Sequence, residues 1–227
     1  MNETSSAPAC VGIILDGNRR WAKERGLSTF EGHHAGMETL TKAVRFLGES
    51  GVKHLIVYAF STENWNRKPD EVAYLMDLFR KSIKEQMKKL GEEGARVRIV
   101  GQRERFSVDL QQAMADIEKE TEKNDHITLW VCLSYGGHAE IIAAAKAAAL
   151  EGEITEESFA RHLWTAGMPD PDIIIRTSGE KRLSGFLPWQ SVYSELFFID
   201  TYWPAFTKKE FDMILAEFAE RERRHGK

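Results

Sequence analysis

Val11-Gly12-Ile13-Ile14-Leu15-Asp16-Gly17-Asn18-Arg19-Arg20-Trp21 is the stretch from which the rest of the chain is read. Its first five residues, mostly apolar, read as a buried strand, and Asp16-Gly17-Asn18 ends that strand in a turn. A polar cluster and a short helical pattern follow. In an open α/β sheet, ligands sit beyond the carboxyl ends of the strands. Here that end carries a carboxylate, an amide, flexible backbone and two guanidinium groups. Paired arginines suit a diphosphate, because each planar fork engages two oxygens. A carboxylate beside it would repel the diphosphate unless a divalent cation lay between them. Mg²⁺ is the usual ion for such a place, held by one or two carboxylates plus phosphate oxygens. Taken alone, the segment also reads as a strand, turn and helix with a solvated basic turn.

The same pattern recurs along the chain. Leu55 to Phe60 form a second apolar run, ending in Ser61, Thr62, Glu63, Asn64, Trp65, Asn66 and Arg67. Asp172 to Arg176 form another, followed by Thr177, Ser178, Gly179, Glu180, Lys181, Arg182, Leu183 and Ser184, a composition suited to a phosphate cradle. Further strands are expected over 96–100, 126–133 and 195–199. Between them, apolar residues recur at helical spacing. A helix is expected to open at His33 and His34 after a loop over 27–32, which would put His33 at an anion-favouring helix start. A long helix is expected after Pro69, with Val72, Met76, Phe79, Ile83, Met87 and Leu90 on its buried face. Tyr135-Gly136-Gly137 reads as a turn. Strands alternating with helices imply a six-stranded, mainly parallel sheet with helices on both faces, an α/β fold.

Composition excludes several classes. The 227 residues suit one domain over 10–227 behind a flexible N-terminus over 1–9. A net charge of −4 argues against nucleic-acid binding and leaves room for local basic pockets. No apolar run has the ~18 residues of a membrane span. The first nine residues lack the basic and apolar regions of a signal peptide, so a cytoplasmic location is expected. Cys10 and Cys132, both in apolar runs, read as buried thiols. There is no G-x-x-x-x-G-K-[ST], no G-x-G-x-x-G after the first strand, and no zinc-type His/Cys spacing.

Leu15 to Ala22, Gly32-His33, Tyr58 to Arg67, Tyr135-Gly136-Gly137 and Ile175 to Ser184, in that order, resemble the cis-prenyltransferases, most of all the undecaprenyl diphosphate synthase type. The resemblance runs from about residue 10 to Gly226. It implies the cis-prenyltransferase fold, a homodimer, and Mg²⁺-dependent condensation of isopentenyl diphosphate with an allylic diphosphate, farnesyl diphosphate being the expected starter. The expected product is undecaprenyl diphosphate, a cell-wall lipid carrier. That lipid product would bring the protein to the inner face of the membrane.

Residue by residue, the resemblance implies that Asp16 organises Mg²⁺ and diphosphate, and that Glu195 lies near the metal. Gly17, Asn18, Arg19, Arg20, Trp21 and His33 fall around the allylic diphosphate. Ser61, Glu63, Asn64, Trp65 and Arg67 belong to a loop that positions the reacting groups, Ser61 and Asn64 with catalytic parts. Arg176, Arg182 and Ser184 match the isopentenyl diphosphate site. Arg224 and Gly226 match a C-terminal motif that reaches the partner's site. Thr29 and His138 stand where the family often has arginines, Ser134 where it has asparagine, and Arg19 is a position that varies between glycine and arginine. Ala59 resembles long-chain members. Short-chain or irregular synthases, and non-catalytic subunits, are the alternatives within the family. Non-catalytic subunits tend to lose the active-site aspartate and arginines, which this chain keeps. A phosphate hydrolase would need a nucleophile–base pair that the sequence does not define.

Overall fold

The structure, a computed structural model, describes residues 7–221. Six strands form one sheet: β1 (Cys10–Ile14), β2 (His54–Ser61), β3 (Ala95–Val100), β4 (Ile127–Tyr135), β5 (Ile173–Arg176) and β6 (Glu195–Phe198). Their order is β3-β4-β2-β1-β5-β6. Every pairing is parallel, so the sheet is wholly rather than mainly parallel. After β1 the chain builds the β2 side, then returns to lay β5 on the other side of β1. The order thus reverses at β1, and the crevice beyond its carboxyl end is where such sheets hold ligands.

Helices cover both faces, as a parallel sheet requires. Alternate strand residues Val11, Ile13, Leu55, Val57, Val97, Leu129, Val131, Ile173 and Ile175 enter the larger core. They pack there against α2 (Thr29–Glu49), α3 (Pro69–Ser82), α5 (Val108–Glu120) and α8 (Lys208–Glu220). The opposite set, including Cys10, Ile56, Cys132 and Ile174, meets Met168, Phe186 and Leu187. Beyond that, α6 (Gly137–Glu151) and α7 (Glu156–Arg161) form a small cluster through Ala144 and Phe159. Both cysteines are buried, free thiols. Among the described residues no helix is long and apolar enough to cross a membrane.

Two helices differ from the sequence expectation. α2 begins at Thr29, not at His33, because Ser28 and Glu31 form a capping box that satisfies the first-turn N–H groups. His33 therefore lies inside the helix and is buried. Of the face expected to be buried after Pro69, Phe79, Ile83, Met87 and Leu90 are buried in the main core, whereas Val72 and Met76 are half-buried and Leu75 and Leu78 join the core beside them. α3 runs through a π-helical turn (Ile83–Met87) into α4 (Lys88–Glu92).

Candidate active site

The backbone around Asp16 is held from two distant segments. Its N–H donates to Thr177 Oγ1 (3.0 Å), and the Thr177 hydroxyl donates to the Asp16 carbonyl (2.6 Å). The Trp203 N–H donates to that same carbonyl (2.9 Å). Gly17 follows with φ +105°, and a Cβ there would lie 2.7 Å from Tyr202 Cδ1. Only glycine fits this turn, for conformation and for space. α1 (Asn18–Glu24) then packs against α2 with glycines at the contact. A Cβ on Gly32 would sit 2.3 Å from the Asn18 carbonyl oxygen, and one on Gly36 2.3 Å from Asn18 Oδ1. These two glycines let the Asn18 end of α1 seat on α2.

The Asp16 carboxylate lies between two arginines. Arg176 Nη2 is 2.8 Å from Oδ2 and Arg20 Nη2 is 3.3 Å from Oδ1. Partial burial works to raise its pKa, but the hydrogen bond and charge of Arg176, with Arg20 beside it, hold the carboxyl below its ordinary 3.8. It is ionised at neutral pH. Arg20 continues to Ser178 Oγ and to Glu180 (3.1 Å), and Glu180 also pairs with Arg182. Arg176 is almost wholly buried, with its other Nη donating to Ser184 Oγ (2.8 Å) and the Arg182 carbonyl. Ser178 and Ser184 both have φ in the left-handed region (77° and 52°). Such strain in non-glycine residues persists only where surrounding contacts over-determine it.

A second charged group faces the first. Glu71, near the start of α3, pairs with Arg67 (2.9 Å), His33 Nε2 (3.3 Å) and Arg19 (3.8 Å). Burial lowers the His33 pKa below 6.5; Glu71 opposes the shift, and Arg67 and Arg19 add to it. His33 is thus a neutral imidazole at pH 7.

Two cavities adjoin at these groups. The larger, of about 630 Å³, is lined by Ile14, Leu15, Tyr58, Ala59 and Leu75 together with Ser61, Glu63, Asn64, His138, Arg176 and Ser184. The smaller, of about 420 Å³, is polar and lined by Gly17, Arg19, Arg20, Glu180 and Arg182. Leu15, Asp16, Asn18, His33 and Arg67 line both. One carboxylate therefore stands where an arginine-rich cavity meets a partly apolar one.

The family model for undecaprenyl diphosphate synthases matches residues 14–226, from the last residue of β1 through both cavities and on past α8. The chain belongs to the undecaprenyl diphosphate synthase family. An isoprenyl transferase of Fusobacterium nucleatum is 48% identical over 96% of each chain. Another, of Thermotoga maritima, is 44% identical over 96% of this chain and 97% of its own. Among solved structures, a lavandulyl diphosphate synthase from Lavandula x intermedia in complex with dimethylallyl diphosphate superposes with a TM-score of 0.93 at 31% identity, covering 97% of this chain and 99% of that one. A probable undecaprenyl diphosphate synthase from Campylobacter jejuni gives 0.83 at 31%, covering 98% and 100%. As a member of this family the chain is a cis-prenyltransferase, with the fold expected from its sequence.

Most residues singled out from the sequence converge on the two cavities, but the arrangement differs in places. Arg182 lines the smaller cavity with Arg20, whereas Arg176, which bonds Ser184 Oγ and the Arg182 carbonyl, lines the larger with Ser184. Trp65 lines neither cavity. Its indole N–H donates to Ser134 Oγ (2.9 Å) and its ring packs on Phe60, which anchors the 62–66 turn. Trp21 also lines neither, lying instead under Arg25. Glu195 is the largest departure. In register it pairs with Ile173, which pairs with Val11. Asp16 is five residues farther along, about 16 Å at the rise of a strand. Glu195 instead bonds Arg221 (2.7 Å), and a single chain does not bring it to Asp16. Gly136 and Gly137 are not in a left-handed turn; a Cβ on either would strike Thr62 or Pro188. Arg224 and Gly226 lie outside the described residues, as does most of the N-terminal segment expected to be flexible.

Glu71, Thr177, Ser178 and Glu180 were not singled out as site groups by the sequence reading. Glu180 and Ser178 stood within the quoted 176–184 loop, so only their roles were hidden. Glu71 had no local signal, since its partners come from α1, α2 and the 62–67 segment.

Proposed function

We propose that this chain condenses isopentenyl diphosphate with an allylic diphosphate, farnesyl diphosphate as starter, and extends it to undecaprenyl diphosphate. The observation that carries this is Asp16 at the junction of the two cavities. The polar cavity, with Arg19, Arg20 and Arg182, has the charge to hold a diphosphate. The apolar wall of the other, Ile14, Leu15, Ala59 and Leu75, suits a prenyl chain, and its Arg176 and Ser184 suit a second diphosphate. When the allylic C–O bond breaks, the negative charge developing on its diphosphate faces arginines already fixed by Asp16, Ser178 and Glu180. The isopentenyl double bond then attacks the allylic carbon and a proton is lost. Holding both substrates in line supplies much of the rate. Ser61, Asn64 and Asp16 line the larger cavity, and one of them, or an oxygen of the bound diphosphate, takes the proton.

The donor set fits Mg²⁺. Asp16 is ionised, and among the described residues no three His, Cys, Asp or Glu side chains form a protein-only cage. Mg²⁺ is held by one or two carboxylates plus phosphate oxygens, so Asp16 would hold it together with the substrate. When bound, the ion offsets charge between carboxylate and diphosphate. A homodimer is part of the proposal. β6 pairs with β5 alone in this chain, and its outer side, with Leu196 and Met213 exposed, is the surface for a second copy. A cytoplasmic location, with contact to the membrane through the lipid product, completes the reading.

Radiolabelled isopentenyl diphosphate incubated with farnesyl diphosphate, Mg²⁺ and the purified chain tests this, with chromatography of the products. A long cis-polyprenyl diphosphate is expected. The 0.93 superposition on a lavandulyl diphosphate synthase favours a second reading, a short or irregular coupling, which the same chromatogram would show as a short product.

A further inference from the structure

A third cavity lies on the opposite face of the sheet from the main core, at the amino-terminal half of β3, β4 and β2. It measures about 430 Å³ and is lined by Arg96, Arg98, Arg103, His54, Trp130 and Trp164, among others. The strand register explains the grouping. Arg96 and Arg98 are two residues apart on edge strand β3, so both project to one face, about 6.6 Å apart along the strand. Their parallel neighbours on β4 are Thr128 and Trp130, and His54 of β2 neighbours Thr128. Farther along, this face is covered by Phe186, Leu187 and Met168, but over these residues the cleft stays open.

Charge in this cleft is unbalanced. Arg103 is neutralised by Glu118 through two contacts of 2.7 and 2.6 Å. Neither Arg96 nor Arg98 has a carboxylate within 4.0 Å among the described residues, although both are half-buried. The Trp130 indole N–H donates to His54 Nδ1 (3.3 Å), which leaves Nε2 as the protonated nitrogen of a neutral ring. Two half-buried guanidinium groups thus line the cleft with no carboxylate paired to them, and a half-buried cation is stabilised by an anion placed against it. This is the chemistry of an anion site, and its size is that of a small-molecule pocket.

We propose that the Arg96–Arg98 cleft is a second anion site that takes a soluble diphosphate or phosphate ester, separate from the catalytic cavities. Two forks at strand spacing can each engage one phosphoryl group of a diphosphate. Both arginines are half-buried and line a cavity with Trp130 and Trp164, which favours a soluble ion over a bilayer surface. The site does not depend on the reaction proposed above.

Equilibrium dialysis with radiolabelled inorganic diphosphate tests it. The unmodified chain should bind in the catalytic cavities and in this cleft. Arg96→Gln/Arg98→Gln should lose only the cleft site, weakened about 10- to 150-fold per charge-assisted contact removed, and keep prenyl transfer. Arg20→Ala/Arg182→Ala should lose the polar-cavity site and keep this one. Equal binding by Arg96→Gln/Arg98→Gln and the unmodified chain would overturn the proposal. So would a crystal structure of the unmodified chain soaked in diphosphate with the cleft bare. Loss of binding to phosphatidylglycerol vesicles in the double variant, with diphosphate binding unchanged, would overturn it in favour of a membrane contact.

Discussion

Asp16 and Arg176 are partners of unequal burial, and that decides what their substitution does. Asp16 is partly open to the cavities, whereas Arg176 is nearly sealed and relies on Asp16, Ser184 and one carbonyl. Asp16→Ala should abolish most turnover and also cost about 1–3 kcal/mol, because it strands a buried guanidinium; steady-state rates and a urea midpoint would show both, and a normal Mg²⁺-dependent rate would refute the assignment. Arg182 is exposed and gives its guanidinium only to Glu180. Arg182→Ala should therefore weaken diphosphate binding with little change in stability, and Arg176→Ala should reduce both, by roughly 1.5–3 kcal/mol for the charge-assisted contacts. Paired KM and melting measurements separate the two.

His33 belongs to the same scale but a different pH window. Its folded pKa lies below 6.5, so the unfolded chain binds more protons as pH falls through 6.5 and stability declines from there downward. His54, lowered by burial, contributes in the same window. Asp16 and Glu71, held below their ordinary values of 3.8 and 4.5, lose their contribution only at more acid pH. Urea midpoints between pH 7.5 and 5 should fall for the unmodified chain and fall less for His33→Gln. Parallel curves would contradict this account of the imidazole.

Among elements, the turn after β1 is the most constrained. Gly17→Ala meets both a φ of +105° and the Tyr202 ring, so it should destabilise by about 1–3 kcal/mol and move the Asp16 carboxylate. Lower kcat with a lower melting temperature is expected; unchanged kinetics would mean that the turn tolerates other geometry. The same scale shows what the sequence made legible. The strands were readable because each is a short apolar run ended by polar groups, and those ends are where the site lies. α2 starts before His33 because Ser28 and Glu31 cap it, within a stretch whose composition reads as loop. The resemblance places Trp65 in the site loop, whereas its hydrogen-bond partner, Ser134, lies 69 residues away and beyond the reach of local sequence. The resemblance implies that Glu195 lies near the metal, and only the β1-β5-β6 pairing shows which end of the sheet it occupies within one chain.

For the molecule as a whole, topology does what no single motif does. The order β3-β4-β2-β1-β5-β6 brings the loops after β1, β2 and β5 to one crevice, and places the Arg96–Arg98 cleft on another part of the sheet. The proposed homodimer would use the β6 side. On that proposal Met213→Glu should shift the mass in solution from dimer toward monomer, read by light scattering, because a charge would enter an apolar contact. The central claim is tested most directly by product analysis of the purified chain alone, given farnesyl diphosphate, radiolabelled isopentenyl diphosphate and Mg²⁺. The account predicts label in a prenyl diphosphate longer than the starter, one diphosphate released per unit added, and almost none of either with Asp16→Ala. Phosphate release from the allylic substrate without incorporation of label, or no product from a folded chain, would contradict it.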